Sequence, residues 1–244
     1  MINIVIPMAG EGKRFVDKGI TTPKPLIEIS GKPFISFVLD SINFENANYH
    51  FLIRKNHYDD YDFDSIFKEK KIKYDITTVD KTTEGAVSTT LLCRDKIDSK
   101  NPLIVKDCDQ ILNWNVSNFS SFVKRKRPDG VIVTLPTINP GFSFVKLDDD
   151  QSTVLETKEK QVISSFGNTG FYYFSKTEDY YKYSDIMIKK NIRVKNEFYV
   201  SQVFNEYILD LKKILHYPIP EIFSINTPEE LSQNKLEIEK FVNS

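Results

Sequence analysis

The chain has 244 residues, of which 40% are apolar, and its formal net charge is −1. This length suits one large domain with a sizeable core, and the near-zero charge argues against a dedicated nucleic-acid-binding protein. Two cysteines are too few for a disulfide framework, the first residues lack the basic segment of a signal peptide, and no apolar run approaches the ~20 residues that span a bilayer. We therefore expect a cytoplasmic protein that binds neither nucleic acid nor membrane.

Strand-like and helix-like segments alternate through the first half of the chain. The predicted strands are Ile2–Ile6, Tyr49–Ile53, Tyr74–Val79, Pro102–Val105 and Val131–Leu135. The predicted helices are Phe34–Ile42, Tyr58–Lys70, Glu84–Cys93 and Ser117–Lys126. Such alternation predicts an α/β, Rossmann-like fold, with a mixed but mainly parallel sheet flanked by helices. In such sheets the ligand sits beyond the carboxyl ends of the strands.

The second half has a different pattern. Three closely spaced strands are predicted at Phe142–Leu147, Thr153–Thr157 and Phe166–Phe174, and they indicate a small antiparallel β layer at the sheet edge. Two helices, a short strand and a last helix follow, and the predicted bounds of the first three are Lys176–Lys190, Val200–Lys213 and Ile222–Ile225. Thr227 and Pro228 are typical of a helix start, as cap and first helical residue. We expect a single domain over residues 1–244, with one half at residues 1–136 and the other at residues 137–244.

The first strand leads into a glycine loop that carries cations. Ala9-Gly10-Glu11-Gly12 follows the strand, Lys13 and Arg14 come directly after, and Lys24 stands between two prolines. Glycine lets backbone N–H groups approach an anion, and the cations neutralise it. An ordinary glycine turn would explain the loop alone, and G-x-G-x-x-G is not satisfied because position 15 is Phe. The adjacent cations favour a nucleotide-phosphate site.

An acidic motif follows another predicted strand. Asp107-Cys108-Asp109 comes after an apolar run, which places two carboxylates at the carboxyl edge of the sheet. Mg²⁺ prefers one or two carboxylates together with phosphate oxygens. An acidic turn is the alternative, but the strand-end position puts the motif in the same crevice as the glycine loop. Because side chains alternate along a strand, we expect one carboxylate to face the site, and we predict Asp109.

Two further polar clusters remain open from the residues alone. Thr82-Thr83-Glu84-Gly85-Ala86 is either a helix cap or a place where a flat base approaches the backbone. Glu159-Lys160 and Asn168-Thr169-Gly170 form either a charged turn with a hairpin or a second-substrate site, and the residues alone favour the turn and hairpin. The three histidines have no metal-binding spacing.

Together these motifs resemble those of the sugar-phosphate-type nucleotidyltransferase family, which carries G-x-G-x-R-[LF] followed by K-P-[LM]. Here the two motifs are Gly10-Glu11-Gly12-Lys13-Arg14-Phe15 and Lys24-Pro25-Leu26. Looser matches continue along nearly the whole chain, through Gly31–Phe34, Gly85-Ala86, Asp109, Glu159-Lys160, Asn168–Gly170 and Thr227–Leu231. The chain is most similar to small bacterial members of surface-polysaccharide pathways, including cytidylyltransferases that use sugar or non-sugar phosphates.

The resemblance implies roles for individual residues. The nucleotide-binding residues would be Ala9, Gly10, Gly12, Arg14, Lys24, Gly85 and Asp109. The acceptor-binding residues would be Glu159, Lys160, Asn168, Gly170 and Glu197. Arg14 and Lys24 would be catalytic, and Asp109 would bind Mg²⁺. Residues 1–136 would form the nucleotide-binding half, and residues 137–244 the acceptor-binding half with the C-terminal helix.

The chain departs from the family pattern before its last helix. Many relatives carry a second metal-binding carboxylate there, in a D-x-G-T-P-E context. Here Ser224 replaces that carboxylate and Asn226 replaces the glycine. The second metal ligand would then be the Asn226 amide or Asp107, unless Asp109 is the one protein carboxylate.

The implied activity joins an NTP, with CTP favoured, to a sugar phosphate or a small non-sugar phosphate and releases pyrophosphate. It depends on Mg²⁺ and would serve precursor synthesis for capsule or surface polysaccharide, in an enzyme that could act as a homodimer. Two alternatives stay open. One is a glycosyltransferase that uses Asp107-Cys108-Asp109 as a D-x-D motif. The other is an inactive regulatory or binding subunit with the same fold.

Overall fold

The computed structural model describes residues 1–242, and the last two positions of the predicted domain, residues 243 and 244, lie outside them. A nine-stranded mixed sheet forms the centre of these residues, accompanied by two small two-stranded sheets. The strands are β1 Ile2–Met8, β2 Glu28–Ile29, β3 Lys32–Pro33, β4 Ala47–Arg54, β5 Tyr74–Val79, β6 Leu103–Lys106, β7 Gln110–Asn113, β8 Gly130–Pro136, β9 Ser143–Leu147, β10 Val154–Glu159, β11 Phe166–Phe174, β12 Ile214–Pro218 and β13 Glu221–Ser224.

The α-helices lie mostly between these strands. They are α1 Lys13–Val16, α2 Phe34–Ser41, α3 Lys55–Asp60, α4 Phe63–Glu69, α5 Ala86–Thr90, α6 Val116–Lys126, α7 Thr177–Lys189, α8 Val200–Leu209 and α9 Pro228–Val242. Two 3-10 helices, Lys24–Leu26 and Leu91–Lys96, complete the set described. No helix within residues 1–242 has both the length and the apolarity needed to cross a membrane.

The first half of the chain builds the parallel part of the main sheet. Strand β1 lies between β4 and β6 and is parallel to both, and β5 pairs in parallel with β4 on the outside. Since parallel strands share one carboxyl edge, the loops after β1, β4, β5 and β6 meet at that edge. The predicted α/β fold with flanking helices is confirmed.

Strand β11 joins this parallel part to the second half. It pairs antiparallel with β6 through Phe171–Phe174, with β8 along its other side, and with β9 at Gly167. Strands β9 and β10 form an antiparallel layer at the sheet edge, as predicted, whereas β11, predicted as the third strand of that layer, lies inside the main sheet because it pairs with β6 and β8. The acidic motif after β6 is thereby brought beside Gly170 in the middle of β11, whose carbonyl accepts the Asp107 N–H at 2.8 Å.

Both faces of the main sheet are covered by apolar layers. In β1, Ile4 and Ile6 belong to one core, together with Phe34 of α2, whereas Val5 belongs to the other, together with Val87 of α5. Full burial of side chains of this kind is worth roughly 1.5–3 kcal/mol each, so the two layers stabilise the sheet that carries the loops of the carboxyl edge.

Two predicted helices differ from the structure for local reasons. The segment predicted as Tyr58–Lys70 contains the end of α3 and the whole of α4, because Tyr61 is extended and the Asp62 carboxylate caps α4 by accepting a hydrogen bond from the Ser65 N–H at 3.0 Å. The helix predicted as Val200–Lys213 ends at Leu209, and Leu211 has a left-handed backbone with φ 56°. Residues Ile214–Pro218, to which the sequence assigned no element, form β12, which pairs with β8.

Candidate active site

The carboxyl edge of the parallel strands opens into a cavity of about 470 Å³, here called the first cavity. Its lining includes every predicted nucleotide-binding residue except Arg14, that is Ala9, Gly10, Gly12, Lys24, Gly85 and Asp109. Its size falls in the range typical of small-molecule sites. The residues that the sequence assigned to nucleotide binding, apart from Arg14, therefore lie around one cavity.

The glycine loop forms one wall of this cavity. Gly12 has φ 65°, a conformation that glycine adopts without strain, and its carbonyl accepts the N–H groups of Phe15 and Val16 at the start of α1. Phe15 is buried and anchors the loop to the core. The backbone around Gly10 and Gly12 is left facing the cavity.

A network of polar side-chain contacts joins the glycine loop to the opposite wall of the first cavity. The Thr82 hydroxyl donates to the Glu11 carboxylate at 2.5 Å and accepts from the Arg54 guanidinium at 2.8 Å. Arg54 also lies 3.5 Å from Glu11 as an ion pair. The loops after β1, β4 and β5 are thus joined over one end of the cavity.

Gly85 lies on that same wall at a position where the Phe198 backbone leaves no room for a side chain. Its φ is +119°, and a Cβ built there would lie 2.6 Å from the Phe198 backbone nitrogen. No side chain within residues 1–242 caps α5, and Gly85 takes the cap position where a threonine was expected. The Thr83 hydroxyl lies 2.6 Å from the Thr89 hydroxyl instead.

Lys24 and Asp109 meet at the centre of the first cavity. The Lys24 ammonium donates to the Asp109 carboxylate at 2.5 Å. Burial lowers the pKa of Lys24, but the charge and hydrogen bond of Asp109 together with the other charges of the acidic motif raise the pKa above its ordinary value. Burial likewise raises the pKa of Asp109, and the charge and hydrogen bond of Lys24 bring it below its ordinary value. Both groups are therefore charged at neutral pH.

Asp107 also reaches the cavity. Strand alternation predicted that one carboxylate of the motif would face the site, but both Asp107 and Asp109 line it, because β6 ends at Lys106 and the chain then turns. Burial and the nearby charge of Asp109 raise the pKa of Asp107 to about 7. The Asp107 carboxyl packs on Gly170, which has φ 63° and where a Cβ would collide with it.

The short ribbon of β7 and β13 brings Asn226 to the same place. Ser224 pairs with Gln110 in this ribbon, and the Ile225 N–H donates to the Asp109 carbonyl at 3.1 Å. The Ser224 hydroxyl donates to the Glu230 carboxylate at 3.0 Å, and the Asn226 N–H donates to the same oxygen at 3.0 Å. The Glu230 carboxylate in the first turn of α9 therefore fixes both Ser224 and Asn226, and Asn226 lines the first cavity.

A second cavity of about 360 Å³ adjoins the first. Its lining includes the predicted acceptor residues Glu159, Lys160, Asn168 and Gly170. Arg14 lies on its wall rather than in the first cavity, and Glu197 lies in the first cavity rather than the second. Asp107, Ala86 and Asn226 line both, so the two cavities share a wall.

The second cavity is lined by polar groups with unused hydrogen-bonding capacity. Asn168 is 3% exposed, and neither atom of its amide has a hydrogen-bond partner within the described residues. The side-chain oxygen of Gln110 is buried and equally without a partner there. Burial raises the pKa of Glu159, whose carboxylate accepts from the Ser201 hydroxyl at 2.9 Å. Unpaired buried amides of this kind indicate a place for a polar ligand.

Comparison with known proteins identifies the family. Residues 4–206 match the family model described as nucleotidyl transferase. The chain belongs to this family. This membership makes the protein a nucleotidyltransferase and decides against the glycosyltransferase alternative.

Solved structures share the fold of this nucleotidyltransferase. A nucleoside-diphosphate-sugar pyrophosphorylase from Vibrio cholerae RC9 is 25% identical with a TM-score of 0.80, over 94% of this chain and 98% of that one. A putative glucose-1-phosphate thymidylyltransferase from Bacillus anthracis is 16% identical with a TM-score of 0.78, over 98% and 96% of the two chains. The inositol-1-phosphate CTP transferase from T. maritima is 11% identical with a TM-score of 0.77, over 99% and 96%. No curated protein sequence matches the chain.

Sequence reasoning missed several polar residues of the nucleotidyltransferase site. Arg54 directly follows the predicted strand Tyr49–Ile53 and Gln110 directly follows the acidic motif, and neither is among the predicted site residues. Lys106 is fully buried beside that motif. A charged residue directly after the apolar run 103–105 was a signal that could have drawn attention to Lys106.

Proposed function

We propose that this nucleotidyltransferase joins an NTP, with CTP favoured, to a phosphate monoester and releases pyrophosphate, with Mg²⁺ as cofactor. One observation carries the proposal: a cation–carboxylate pair, Lys24 and Asp109, lies in a cavity with a glycine-loop wall, and this cavity shares a wall with a second polar cavity. The first would take the nucleotide and the second the acceptor. The reaction needs such adjacency, because the acceptor phosphate attacks the α-phosphate of the nucleotide.

The residues of the first cavity suit a triphosphate. The backbone of Ala9, Gly10 and Gly12 would face the nucleotide, and Gly85 would leave room for the base and ribose. Lys24 would exchange its hydrogen bond to Asp109 for one to the α-phosphate. It would then stabilise the negative charge that develops there in the transition state.

Arg14 would act from the second cavity. Arg14 and Tyr199 both line this cavity, where burial raises the pKa of Tyr199 and the positive charge of Arg14 opposes that rise. From there it would bridge the attacking phosphate and the phosphates of the nucleotide. A guanidinium binds phosphate oxygens bidentately, which suits this position.

No general base is required. A phosphate monoester has its second pKa near ~6 and is already largely a dianion at neutral pH. The barrier lies in bringing two anions together, and the cations and their positioning address it.

The donor set fits a divalent ion that is shared with the nucleotide. Asp107 and Asp109 supply carboxylates and Asn226 an amide oxygen, but no group of three or more His, Cys, Asp or Glu among the described residues could hold a metal by itself. Mg²⁺ is commonly held by one or two carboxylates plus substrate phosphates, and when bound it would neutralise phosphate charge. We assign Asp109 as its carboxylate, with Asn226 beside it.

The second cavity favours a hydroxyl-rich acceptor such as a sugar or polyol phosphate. Asn168 offers both a donor and an acceptor, and Glu159 a buried carboxyl, which suit hydroxyl groups. A quaternary ammonium would need open aromatic faces. Here the Lys160 ammonium lies 4.6 Å from the Tyr199 ring centre and donates to its hydroxyl at 2.6 Å, so that face is already covered.

The wider role follows from the same resemblance. We propose a cytoplasmic enzyme of surface-polysaccharide precursor synthesis that works as one nucleotidyltransferase domain. Residues 1–136 would mainly bind nucleotide and residues 137–244 mainly the acceptor. Arg14, Ala86, Asp107 and Gln110 cross this division, since they line the second cavity.

A pyrophosphate-release matrix tests the proposal. The full chain is incubated with Mg²⁺ and each of CTP, UTP, dTTP, ATP and GTP against hexose phosphates, polyol phosphates and phosphocholine. The expected result is release with CTP and a hydroxyl-rich phosphate. Release with another base would overturn the CTP preference, and release with phosphocholine would overturn the acceptor class. Nucleotide binding without release on any acceptor would favour an inactive binding subunit.

A further inference from the structure

Polar side chains line the part of the first cavity that lies away from the second cavity. Glu11, Thr82 and His57 line the first cavity but not the second. Thr82 belongs to the same loop as Gly85, the glycine that would leave room for the base and ribose. Glu11 reaches this loop from the opposite wall, because its carboxylate accepts a hydrogen bond from Thr82. These side chains are therefore placed to meet the base of a bound nucleotide.

The polar tip of a pyrimidine base would point to this end of the cavity. Atom C4 lies opposite N1, the ring atom that carries the ribose, so the substituent on C4 is the part of the base furthest from the ribose. Cytosine carries an amino group there, which donates hydrogen bonds, and uracil carries a carbonyl oxygen, which accepts them. The protein groups that face C4 therefore decide between CTP and UTP.

The hydrogen-bonding direction in this network leaves an acceptor free. The Arg54 guanidinium donates to the Thr82 hydroxyl at 2.8 Å, and that hydroxyl donates its one hydrogen to the Glu11 carboxylate at 2.5 Å. Glu11 is ionised at neutral pH and only accepts, with about four acceptor sites on its two oxygens. Lys13 lies 3.3 Å from the second oxygen, with a side chain 80% exposed, as a weak surface ion pair. The Glu11 side chain is itself 38% exposed, so a donor on a ligand can reach it.

The other polar groups on this wall do not favour a carbonyl on the base. The Thr83 and Thr89 hydroxyls both donate to the Gly85 carbonyl at 3.1 Å, so their hydrogens are directed into the protein. Burial lowers the pKa of His57, and its ring is neutral at pH 7. A neutral imidazole has one donor and one acceptor, so it suits either base.

We propose that the Glu11 carboxylate selects cytosine by accepting a hydrogen bond from the amino group on C4, and that Thr82 is a positioning residue that holds this carboxylate in place. The inference rests on the proposed function in placing the base beside the Gly85 wall. Uracil would bring its carbonyl oxygen against the carboxylate, so two acceptors would face each other without a hydrogen between them. Selection therefore comes from an attraction for CTP and a repulsion of UTP.

Isothermal titration calorimetry of the full chain with CTP and with UTP tests this, in the presence of Mg²⁺ and without acceptor. The two nucleotides differ only at C4 and N3 of the base. Wild type is compared with Glu11→Gln, which keeps the shape of the side chain and adds an N–H group that can face the uracil carbonyl. The matched control is Glu28→Gln, because Glu28 is also exposed, lies on β2 and lines neither cavity. Lys13→Met removes the neighbouring cation and keeps the carboxylate.

Wild type should bind CTP at least about tenfold more tightly than UTP, the scale of one hydrogen bond to a charged group. Glu11→Gln should lose this preference, whereas Glu28→Gln and Lys13→Met should keep it. Equal affinity of wild type for the two nucleotides overturns the proposal, and so does an unchanged preference in Glu11→Gln. Loss of the preference in Lys13→Met would also overturn it, since the cation and not the carboxylate would then select the base.

Two variants of Thr82 test its positioning role. Thr82→Val has nearly the same shape but cannot donate to Glu11, and Thr82→Ser keeps the hydroxyl. Thr82→Val should lower the ratio of CTP affinity to UTP affinity several-fold, and Thr82→Ser should restore the wild-type ratio. If Thr82→Val changes both affinities by the same factor, Thr82 supports only the cavity wall and its positioning role is wrong. Circular dichroism confirms that each variant is folded.

Because the titration needs no turnover, it separates the two proposals. A CTP preference that depends on Glu11 supports the inference even if no acceptor gives pyrophosphate. Pyrophosphate release by an enzyme whose CTP preference is unchanged in Glu11→Gln leaves the transferase in place and overturns the inference. A chain that binds neither nucleotide overturns both.

Discussion

Lys24 and Asp109 stand 85 positions apart in the chain and are joined by a hydrogen bond of 2.5 Å. Each side chain shifts the pKa of the other so that both are charged. In the nucleotide-free enzyme the proposed catalytic cation and the proposed metal carboxylate therefore neutralise each other. A substrate has to separate them, which links nucleotide binding directly to assembly of the catalytic charges.

Removing the Lys24 cation should abolish most of the turnover. We expect Lys24→Ala to lower kcat at least ~10²-fold, the scale of a removed electrostatic stabiliser. The measurement is pyrophosphate release at saturating nucleotide and acceptor.

The matched control for this change is Lys18→Ala. Lys18 is on the same stretch of chain but pairs with Glu229 on the surface, at 3.4 Å. It should keep nearly the wild-type rate. A Lys24→Ala enzyme that turns over at the rate of this control would remove Lys24 from the mechanism.

Arg14 should matter to turnover and also to the acceptor. We expect Arg14→Ala to lower kcat at least ~10²-fold and, because the side chain lines the second cavity, to raise KM for the acceptor more than KM for the nucleotide. Initial rates over both substrate concentrations separate the two effects. Arg125→Ala, which changes an exposed arginine of α6, serves as control. If the KM for nucleotide alone rises, the placement of Arg14 at the acceptor is wrong.

The fold was predictable because its signal is local. Alternating apolar segments predicted β1, β4, β5, β6 and β8 within a few residues, and Phe166–Phe174 was predicted with the bounds it has. The interruption between α3 and α4 at Asp62 was missed because the helical spacing of apolar residues continues across it. Strand β12 was missed because its five residues, which directly follow the predicted helix Val200–Lys213, are defined by pairing with β8.

The site was predictable only in part. The glycine loop, Lys24 and Asp109 come from short motifs, and these residues line one cavity. Arg14 lines the second cavity because of the direction in which α1 leaves the glycine loop. The spacing of residues in the sequence does not reveal that direction. The burial of Lys106 and the absence of hydrogen-bond partners for the Asn168 amide within residues 1–242 depend on what packs around them from distant segments.

Asn168 should affect the acceptor without affecting stability. Since its amide makes no internal hydrogen bond among the described residues, Asn168→Leu leaves no internal partner unpaired. We expect it to raise KM for the acceptor by about 10-fold, or ~1.4 kcal/mol, with little change in the free energy of unfolding.

Asn205→Ala is the contrasting variant. The Asn205 amide donates to the Thr157 carbonyl at 3.0 Å and accepts from its N–H at 2.9 Å. It should lose stability, as seen by urea unfolding, while the acceptor KM stays the same. If Asn168→Leu loses stability and leaves the acceptor KM unchanged, as expected for Asn205→Ala, Asn168 does not bind the acceptor.

The titration of Asp107 should make the free energy of unfolding decrease as the pH rises. Its pKa is raised to about 7, first by burial and then by the charge of Asp109. Between about pH 4, the ordinary value for Asp, and pH 7 the folded chain holds a proton that the unfolded chain has released. The free energy of unfolding therefore decreases as the pH rises through this window.

Urea unfolding at pH 5 and pH 8 with EDTA present measures this effect. Wild type should lose more stability between the two values than Asp107→Asn, which cannot titrate at this position. Equal losses in the two proteins would mean that Asp107 is not protonated in the folded state.

The most direct test of the central claim is a crystal structure with Mg²⁺ and a non-hydrolysable CTP analogue. We expect the triphosphate to lie along the glycine loop, with the Lys24 ammonium on an α-phosphate oxygen and Asp109 facing the Mg²⁺. A triphosphate bound elsewhere, with the Lys24–Asp109 hydrogen bond unbroken, would contradict it.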